Sequence, residues 1–157
     1  MHFNIPNEVV KVTQTLEKGG FEAFLVGGCV RDLLTERNPK DWDITTNAKP
    51  EQIQELFKKT VYENNFGTVA VVNEDLEQDD PVRIIEITPY RTETTYSNNR
   101  HPDSVSFSES LEDDLKRRDF TMNAIALEIK EDSIKDISGD NSKRHVIIKD
   151  IYGGIKD

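Results

Sequence analysis

One cysteine, Cys29, occurs in the whole sequence, which excludes an intramolecular disulfide and a cysteine-rich zinc site. No apolar run approaches the roughly 18 residues of a membrane span, and Met1-His-Phe-Asn4 lacks the cationic-then-apolar order of a secretory leader. These absences predict a cytoplasmic protein with no membrane partner. There is no internal repeat and no low-complexity tract. The G-x-x-x-x-G-K-[ST] phosphate loop and the G-x-G-x-x-G dinucleotide fingerprint are both missing, so two common nucleotide-binding designs are excluded. Positive charge is scarce: 20 Lys and Arg against 30 Asp and Glu leave a net charge of −10. That argues against a nucleic-acid surface covering the whole molecule and leaves room for a local basic groove. Hydrophobic residues reach only 35% and charged residues 32% of 157 positions, which suits one domain with a large surface share or one that packs against something more.

What is present is concentrated between Phe21 and Thr46. Phe24, Leu25 and Val26 form a short apolar run bounded by Gly27 and Gly28, the pattern of a buried strand entering a tight turn. Cys29–Leu34 has helical apolar spacing, and Pro39 stops any continuation. In an extended segment Asp41, Asp43 and Thr45 share one face while Trp42 and Ile44 take the other. Two carboxylates side by side at a strand edge suit divalent cations.

The remaining chain supplies scaffold and further candidates. Pro6-Asn7 opens a scaffold helix within residues 1–20, with Asn7 as its expected N-cap, Val9, Val10 and Leu16 as its apolar stripe and Gly19-Gly20 as its end. A second helix starts at Lys49-Pro50 and buries Ile53, Leu56 and Phe57. Strands are expected at Thr68–Val72 and Arg83–Thr88, joined by a solvated acidic loop, Asn73–Pro81. In the second of these strands Glu86 faces away from Ile85 and Ile87. It is either an edge-strand surface residue or, if the strand neighbours Asp41–Thr45, a third carboxylate beside the pair. Arg91–Val105 has neither period and is a long loop, of a length that is commonly functional. Leu111–Leu115 begins a helix that runs into Lys116-Arg117-Arg118, a local cationic exception that reads either as a solvated helix turn or, with Asp119, Thr121 and Asn123 beside it, as a cluster that also supplies hydroxyl- and base-contacting groups. Ala124–Ile129 is a buried strand or helix end, and Val146–Ile148 a short strand near the C-terminus.

Nucleotidyl transfer needs carboxylates for metal ions, donors for a triphosphate and a means to position the attacking hydroxyl. Two carboxylates with a third from a neighbouring strand can clamp two Mg²⁺ ions about 3.5–4 Å apart. The hard oxygen donors, with no His or Cys beside them as alternative ligands, favour Mg²⁺ over zinc. Gly27 and Gly28 let the backbone approach phosphate oxygens, and a helix starting at Cys29 directs its N–H groups there. Arg31, in the first turn of that helix, opposes the helix dipole and is better explained by an anion than by helix stability.

The motifs LVGGCVRDLL, KDWDITT, IIEITPYR, YSNNRHPDSVSF and LEDDLKRRDFTMNAIA occur in that order from about Phe21 onward. Together they resemble the head domain of class II tRNA nucleotidyltransferases, which comprise the CCA-adding enzymes and their bacterial poly(A) polymerase relatives in the polymerase-beta superfamily. The resemblance implies an α/β (α+β) fold: a mixed sheet with helices packed on one side, rather than a doubly wound parallel sheet. It implies that Asp41 and Asp43 are the catalytic metal pair and that Glu86 is the third carboxylate. Gly27, Gly28 and Arg31 match positions at the nucleotide's triphosphate, and Arg118 and Asp119 match positions at its sugar and phosphates. Mg²⁺, ATP, CTP and tRNA are the implied cofactor and partners. The Arg91–Val105 stretch resembles the loop with which the family switches specificity from C to A, which argues against a CC-only adder.

Glu36 departs from the pattern, standing where the family usually has glycine. A left-handed conformation there would cost a non-glycine residue about 1 kcal/mol, so this loop is expected to differ. The family also continues into helical neck, body and tail domains that read the nucleobase and bind most of the tRNA. Residues 1–157 are therefore read as a head domain, with base selection expected elsewhere. The alternatives are a poly(A) polymerase head and a non-catalytic nucleotide- or metal-binding module.

Overall fold

The structure, a computed structural model, describes residues 2–63, 67–92, 106–118, 120–130 and 143–156. In chain order it contains β1 (His2–Asn4), α1 (Asn7–Lys18), β2 (Ala23–Val26), α2 (Gly28–Leu34), β3 (Trp42–Thr46), α3 (Pro50–Leu56), β4 (Thr60–Tyr62), β5 (Val69–Val72), β6 (Ile84–Pro89), α4 (Leu111–Lys116), β7 (Ile125–Ile129) and β8 (Lys143–Asp150). The strands form one eight-stranded sheet in the order β1-β8-β7-β2-β3-β6-β5-β4. Every pairing is antiparallel except β3 with β6, which run parallel with Asp43 opposite Glu86. The fold is the mixed sheet with helices implied by the motifs.

Burial explains the layering. β2 is apolar along its whole length and sits at the centre of the sheet with all four residues buried. On one face Leu25, Ile44, Ile85, Ile87 and Leu127 meet Val9 and Leu16 of α1, Val30 and Leu33 of α2 and Ile53 of α3 in the main core. On the other face a smaller cluster, Phe24, Val26, Tyr90, Ala124 and Ala126, lies under Leu115 of the short α4. The three longer helices thus cover one side of the sheet. The face carrying Asp43 is left largely open apart from α4.

Several local expectations need correction. Asn7 is the first residue of α1, not its cap. Pro6 holds the cap position at φ −58°, and the Asn7 side-chain oxygen instead accepts a hydrogen bond from Arg144 Nη2 on β8. The third helix begins as expected, with Lys49 at the cap, Pro50 in the first turn and the Gln52 side chain accepting from the Lys49 amide. The Ala124–Ile129 segment resolves as a strand from Ile125 onward, β7, and the C-terminal strand is longer than its apolar centre because it pairs on both sides, with β7 and β1. Glu36 does adopt a left-handed φ of 58°, the only non-glycine residue to do so among the described residues. The Arg37 amide bonds back to the Asp32 carbonyl at 2.7 Å, so the helix end closes despite the strain of its side chain.

The C-terminal turn is locked against the segment after α4. A Cβ on Gly154 would lie 2.1 Å from the Thr121 carbonyl oxygen and 2.8 Å from the Met122 amide nitrogen, both backbone. Gly154→Ala is therefore expected to cost at least about 2 kcal/mol through overpacking. A denaturant midpoint unchanged from that of the parent protein would contradict it.

Candidate active site

The parallel pairing of β3 and β6 answers the question left open about Glu86. β6 lies between β3 and β5, inside the sheet, so Glu86 is no edge residue. Its register places it directly beside Asp43, with Ala70 on its other side. Both carboxylates are half-buried. Asp41 sits one residue before β3, exposed, close enough that its charge discourages ionisation of both Asp43 and Glu86.

A carboxylate absent from the sequence reading joins them. Glu63 follows β4, and its amide donates to the Thr68 carbonyl, which continues the β4–β5 ladder. By alternation from Val61, which pairs with Ala70, Glu63 emerges on the same face as Glu86. The carboxyl groups of Glu63 and Glu86 lie close enough to influence each other's ionisation, as do those of Glu86 and Asp43. Proton affinity is raised at all three: by burial first, then chiefly by neighbouring negative charge at Glu63 and Glu86. At Asp43 the Glu86 carboxyl group and the Arg118 guanidinium pull the other way, and burial outweighs them.

The Gly27 turn closes over this cluster. Gly27 has φ 78° and ψ −145°, a conformation open to glycine, and its missing Cβ would sit 3.4 Å from Asp43 Oδ2 and 4.0 Å from Arg118 Nη1. The backbone at Gly27 thus borders both the carboxylate and the guanidinium. Cys29 lies beneath the turn, its thiol donating to the Val26 carbonyl at 3.2 Å; burial pushes its pKa up to about 12, so it serves as packing. Arg31 folds back to within 3.4 Å of the position a Cβ on Gly28 would take and pairs with Asp32 at 3.3 Å. It is the fourth of seven residues in α2, which begins at Gly28, so the argument from an opposed helix dipole does not hold.

Arg117 and Arg118 are not a solvated helix turn. Their side chains are 20% and 17% exposed, and both pair with Asp114, which is fully buried. Asp114 takes Arg117 Nε at 3.1 Å and the Arg91 amide at 3.2 Å on Oδ1, and Thr45 Oγ1 at 3.1 Å and Arg118 Nη2 at 3.2 Å on Oδ2. Sequence reading missed Asp114. The clue was its spacing of three and four residues from the two arginines on a helix. Asp119 and residues 93–105 of the expected loop lie outside the described residues; Arg91 forms a bridge with Phe107.

Among the described residues no group of three or more His, Cys, Asp or Glu side chains is arranged as a metal cage. The donor set nevertheless fits a hard cation: oxygen ligands only, on neighbouring strands, at a site where burial and mutual repulsion disfavour uncompensated negative charge. The site is an open sheet face. A 580 Å³ cavity lined by Asn4, Asn7, Pro39, Trp42 and Asp80 lies against Trp42 on the opposite face, and a 630 Å³ groove along α2 reaches Arg31 alone of the candidate residues. No helix among the described residues is long and apolar enough to cross a membrane.

A family model described as "Poly A polymerase head domain" matches residues 23–157. The CCA-adding enzyme of Lactobacillus helveticus (strain DPC 4571) is 43% identical over 98% of this chain and 34% of its own length. That of Geobacillus kaustophilus (strain HTA426) is 46% identical over 77% of this chain and 28% of its own. The chain spans about a third of the length of the curated relatives it matches. Among solved structures, the Bacillus stearothermophilus CCA-adding enzyme in complex with CTP superposes with a TM-score of 0.69 at 37% identity, over 95% of this chain and 30% of that one. A tRNA nucleotidyltransferase complexed with a primer tRNA and an incoming ATP analog gives a TM-score of 0.58 at 25% identity, over 93% of this chain and 36% of that one. Since the match runs from β2 through every later element, the chain belongs to the poly(A) polymerase head-domain family and is a head domain homologous to those of CCA-adding enzymes.

Proposed function

We propose that this head domain transfers nucleoside monophosphates from CTP and ATP to the 3′ hydroxyl of tRNA, completing the CCA end and releasing pyrophosphate. The observation that carries the reading is the juxtaposition of Asp43 and Glu86 on adjacent parallel strands, with the Gly27 turn and Arg118 beside Asp43. The names of the relatives support the substrate class.

In this reading Asp41, Asp43 and Glu86 hold Mg²⁺. The bound ions would ease ionisation of the attacking hydroxyl and neutralise charge on the leaving pyrophosphate. The protein's own contributions are positional. Protons compete with cations for these oxygens, whose proton affinity is raised, so occupancy is expected to rise with pH. Gly27, with no side chain over Asp43 Oδ2, lets backbone approach a phosphate, and Arg118 supplies a guanidinium donor on the same side. Arg31 at the Gly28 turn is assigned to the triphosphate and Asp119 to the sugar, both from the motif match.

The test is to supply the protein carrying this chain with MgCTP, MgATP and a tRNA lacking its CCA end. Ordered addition of C and then A with pyrophosphate release is expected. The family description favours a second reading, poly(A) synthesis, which predicts A incorporation on general RNA and no use of CTP. Failure to release pyrophosphate from either nucleotide would contradict both. Residues 1–157 alone are expected to bind MgATP and MgCTP within about tenfold of each other, because strong discrimination requires groups that hydrogen-bond the base edge. Isothermal titration checks this, and a clear preference for one nucleotide would place base selection inside this domain.

A further inference from the structure

We infer that Asp114 is a positioning residue for nucleotide binding: it holds the Arg118 guanidinium at the Gly27 turn so that the remaining N–H groups face the triphosphate. This deepens the proposed function and rests on its assignment of Arg118 to the nucleotide.

Asp114 itself is no candidate ligand for metal or substrate. An ionised carboxylate offers about four acceptor sites, and the Arg91 amide, Arg117, Thr45 and Arg118 lie within hydrogen-bond reach of its two oxygens, two at each. It is fully buried, so water cannot compete for those sites. The four partners come from three parts of the fold. Thr45 stands on β3 two residues beyond Asp43, Arg91 follows β6 just beyond the strand carrying Glu86, and the two arginines close α4. Asp114 therefore ties the end of α4 to both strands that bear the carboxylates.

The consequence for Arg118 is geometric. One arm of its fork, Nη2, is fixed on Asp114, and the other, Nη1, lies 4.0 Å from where a Cβ on Gly27 would stand, beside Asp43 Oδ2. Its Nε has no partner among the described residues. Arginine has many rotamers, so fixing one arm before the ligand arrives removes an entropic cost that binding would otherwise meet. A lysine at 118 has no second arm to fix.

The experiment is a double-mutant cycle read by MgATP affinity, with sodium tripolyphosphate as a probe of the phosphate site without the base. Asp114→Asn keeps shape and loses charge. It is expected to weaken both ligands about tenfold, the size of one charge-assisted hydrogen bond. In an Arg118→Ala background the same substitution is expected to change either affinity less than twofold. Equal losses in the two backgrounds, or an Asp114→Asn protein with unaltered affinity, would overturn the proposal and leave Asp114 as a stabilising residue only. Unaltered affinity in Arg118→Ala, which keeps Asp114, would instead remove the underlying assignment of Arg118 and the proposal with it. If Asp114→Asn does not fold, Thr45→Val, which deletes the hydroxyl beside Asp114 Oδ2, takes its place in the cycle with the same two outcomes.

Discussion

Asp43→Asn is expected to lower nucleotide transfer by at least about a thousandfold, the scale of a lost metal ligand at a phosphoryl-type transition state, while stabilising the metal-free domain at neutral pH. The two effects have one cause. Asp43 is half-buried, and burial, the largest influence, raises its proton affinity despite Glu86 and Arg118, with the charges of Asp41 and Glu63 adding to the rise. Above the ordinary carboxylate range the folded state therefore binds more protons at Asp43, Glu86 and Glu63 than the unfolded chain does. Stability at these sites is highest in mild acid and falls as pH rises through their raised pKa values. An asparagine removes one charge and donates a permanent hydrogen bond to Glu86. Its Tm advantage over the parent should be clear at pH 7–8 and shrink toward pH 4. Mg²⁺ should raise the parent's Tm at pH 7–8 and the variant's much less. Asp41→Ala with Asp43→Ala should abolish transfer altogether. Retained activity in the double variant, or a Tm for Asp43→Asn below the parent's at pH 7.5, would sink the assignment.

Asp114→Ala is expected to be the most destabilising charge deletion in the domain, at about 3 kcal/mol or more, because it removes one partner of a buried ionic network instead of the whole network. The Arg118 guanidinium, the Thr45 hydroxyl and the Arg91 amide all lose this acceptor at a point with no solvent access to Asp114. For a domain of this size the corresponding drop in Tm is about 10 °C. The exposed pair Lys59–Glu74, 3.7 Å apart with both side chains more than half exposed, provides the contrast, and Glu74→Ala should cost well under about 1 kcal/mol. If the two alanine variants melt together, the network around Asp114 contributes nothing beyond a surface ion pair.

The parts of this site that could be read from sequence were those whose pattern is local. The alternation of Trp42 and Ile44 against Asp43 and Thr45, and of Ile85 and Ile87 against Glu86, showed which faces were buried without knowledge of any neighbour. Strand adjacency was not readable, because the partners of Glu86 are set by topology, and its role stayed conditional until β3 and β6 proved to be paired. Glu63 was missed because β4 is three residues long and two of them, Val61 and Tyr62, are exposed, so its apolar signal is weak. β1 was missed for the same reason, being a three-residue edge strand held by β8. Asp114 illustrates a different blindness. In LEDDLKRR it is one acid among three; its spacing from Arg117 and Arg118 was a weak local clue, while its partners Thr45 and Arg91, 69 and 23 residues away, are set by the fold. The Glu36 turn shows the reverse: a local cost read as a reason for the loop to differ, and a structure that keeps the left-handed residue and bears the cost.

The parallel pairing of β3 with β6 also bears on when the site comes into being during folding. Partners in this pair are 43 residues apart, as Thr45 and Thr88 are, and no hairpin can bring them together. α3, β4 and β5 lie between them in the chain, so the pairing carries the loop-closure cost that makes such long-range contacts slow to form. Asp43 and Glu86 are thus strangers in any partly folded chain. A nascent polypeptide with β2, β3 and the Gly27 turn in place would carry half a metal site, and assembly of the full carboxylate set would serve as a completion signal for the sheet.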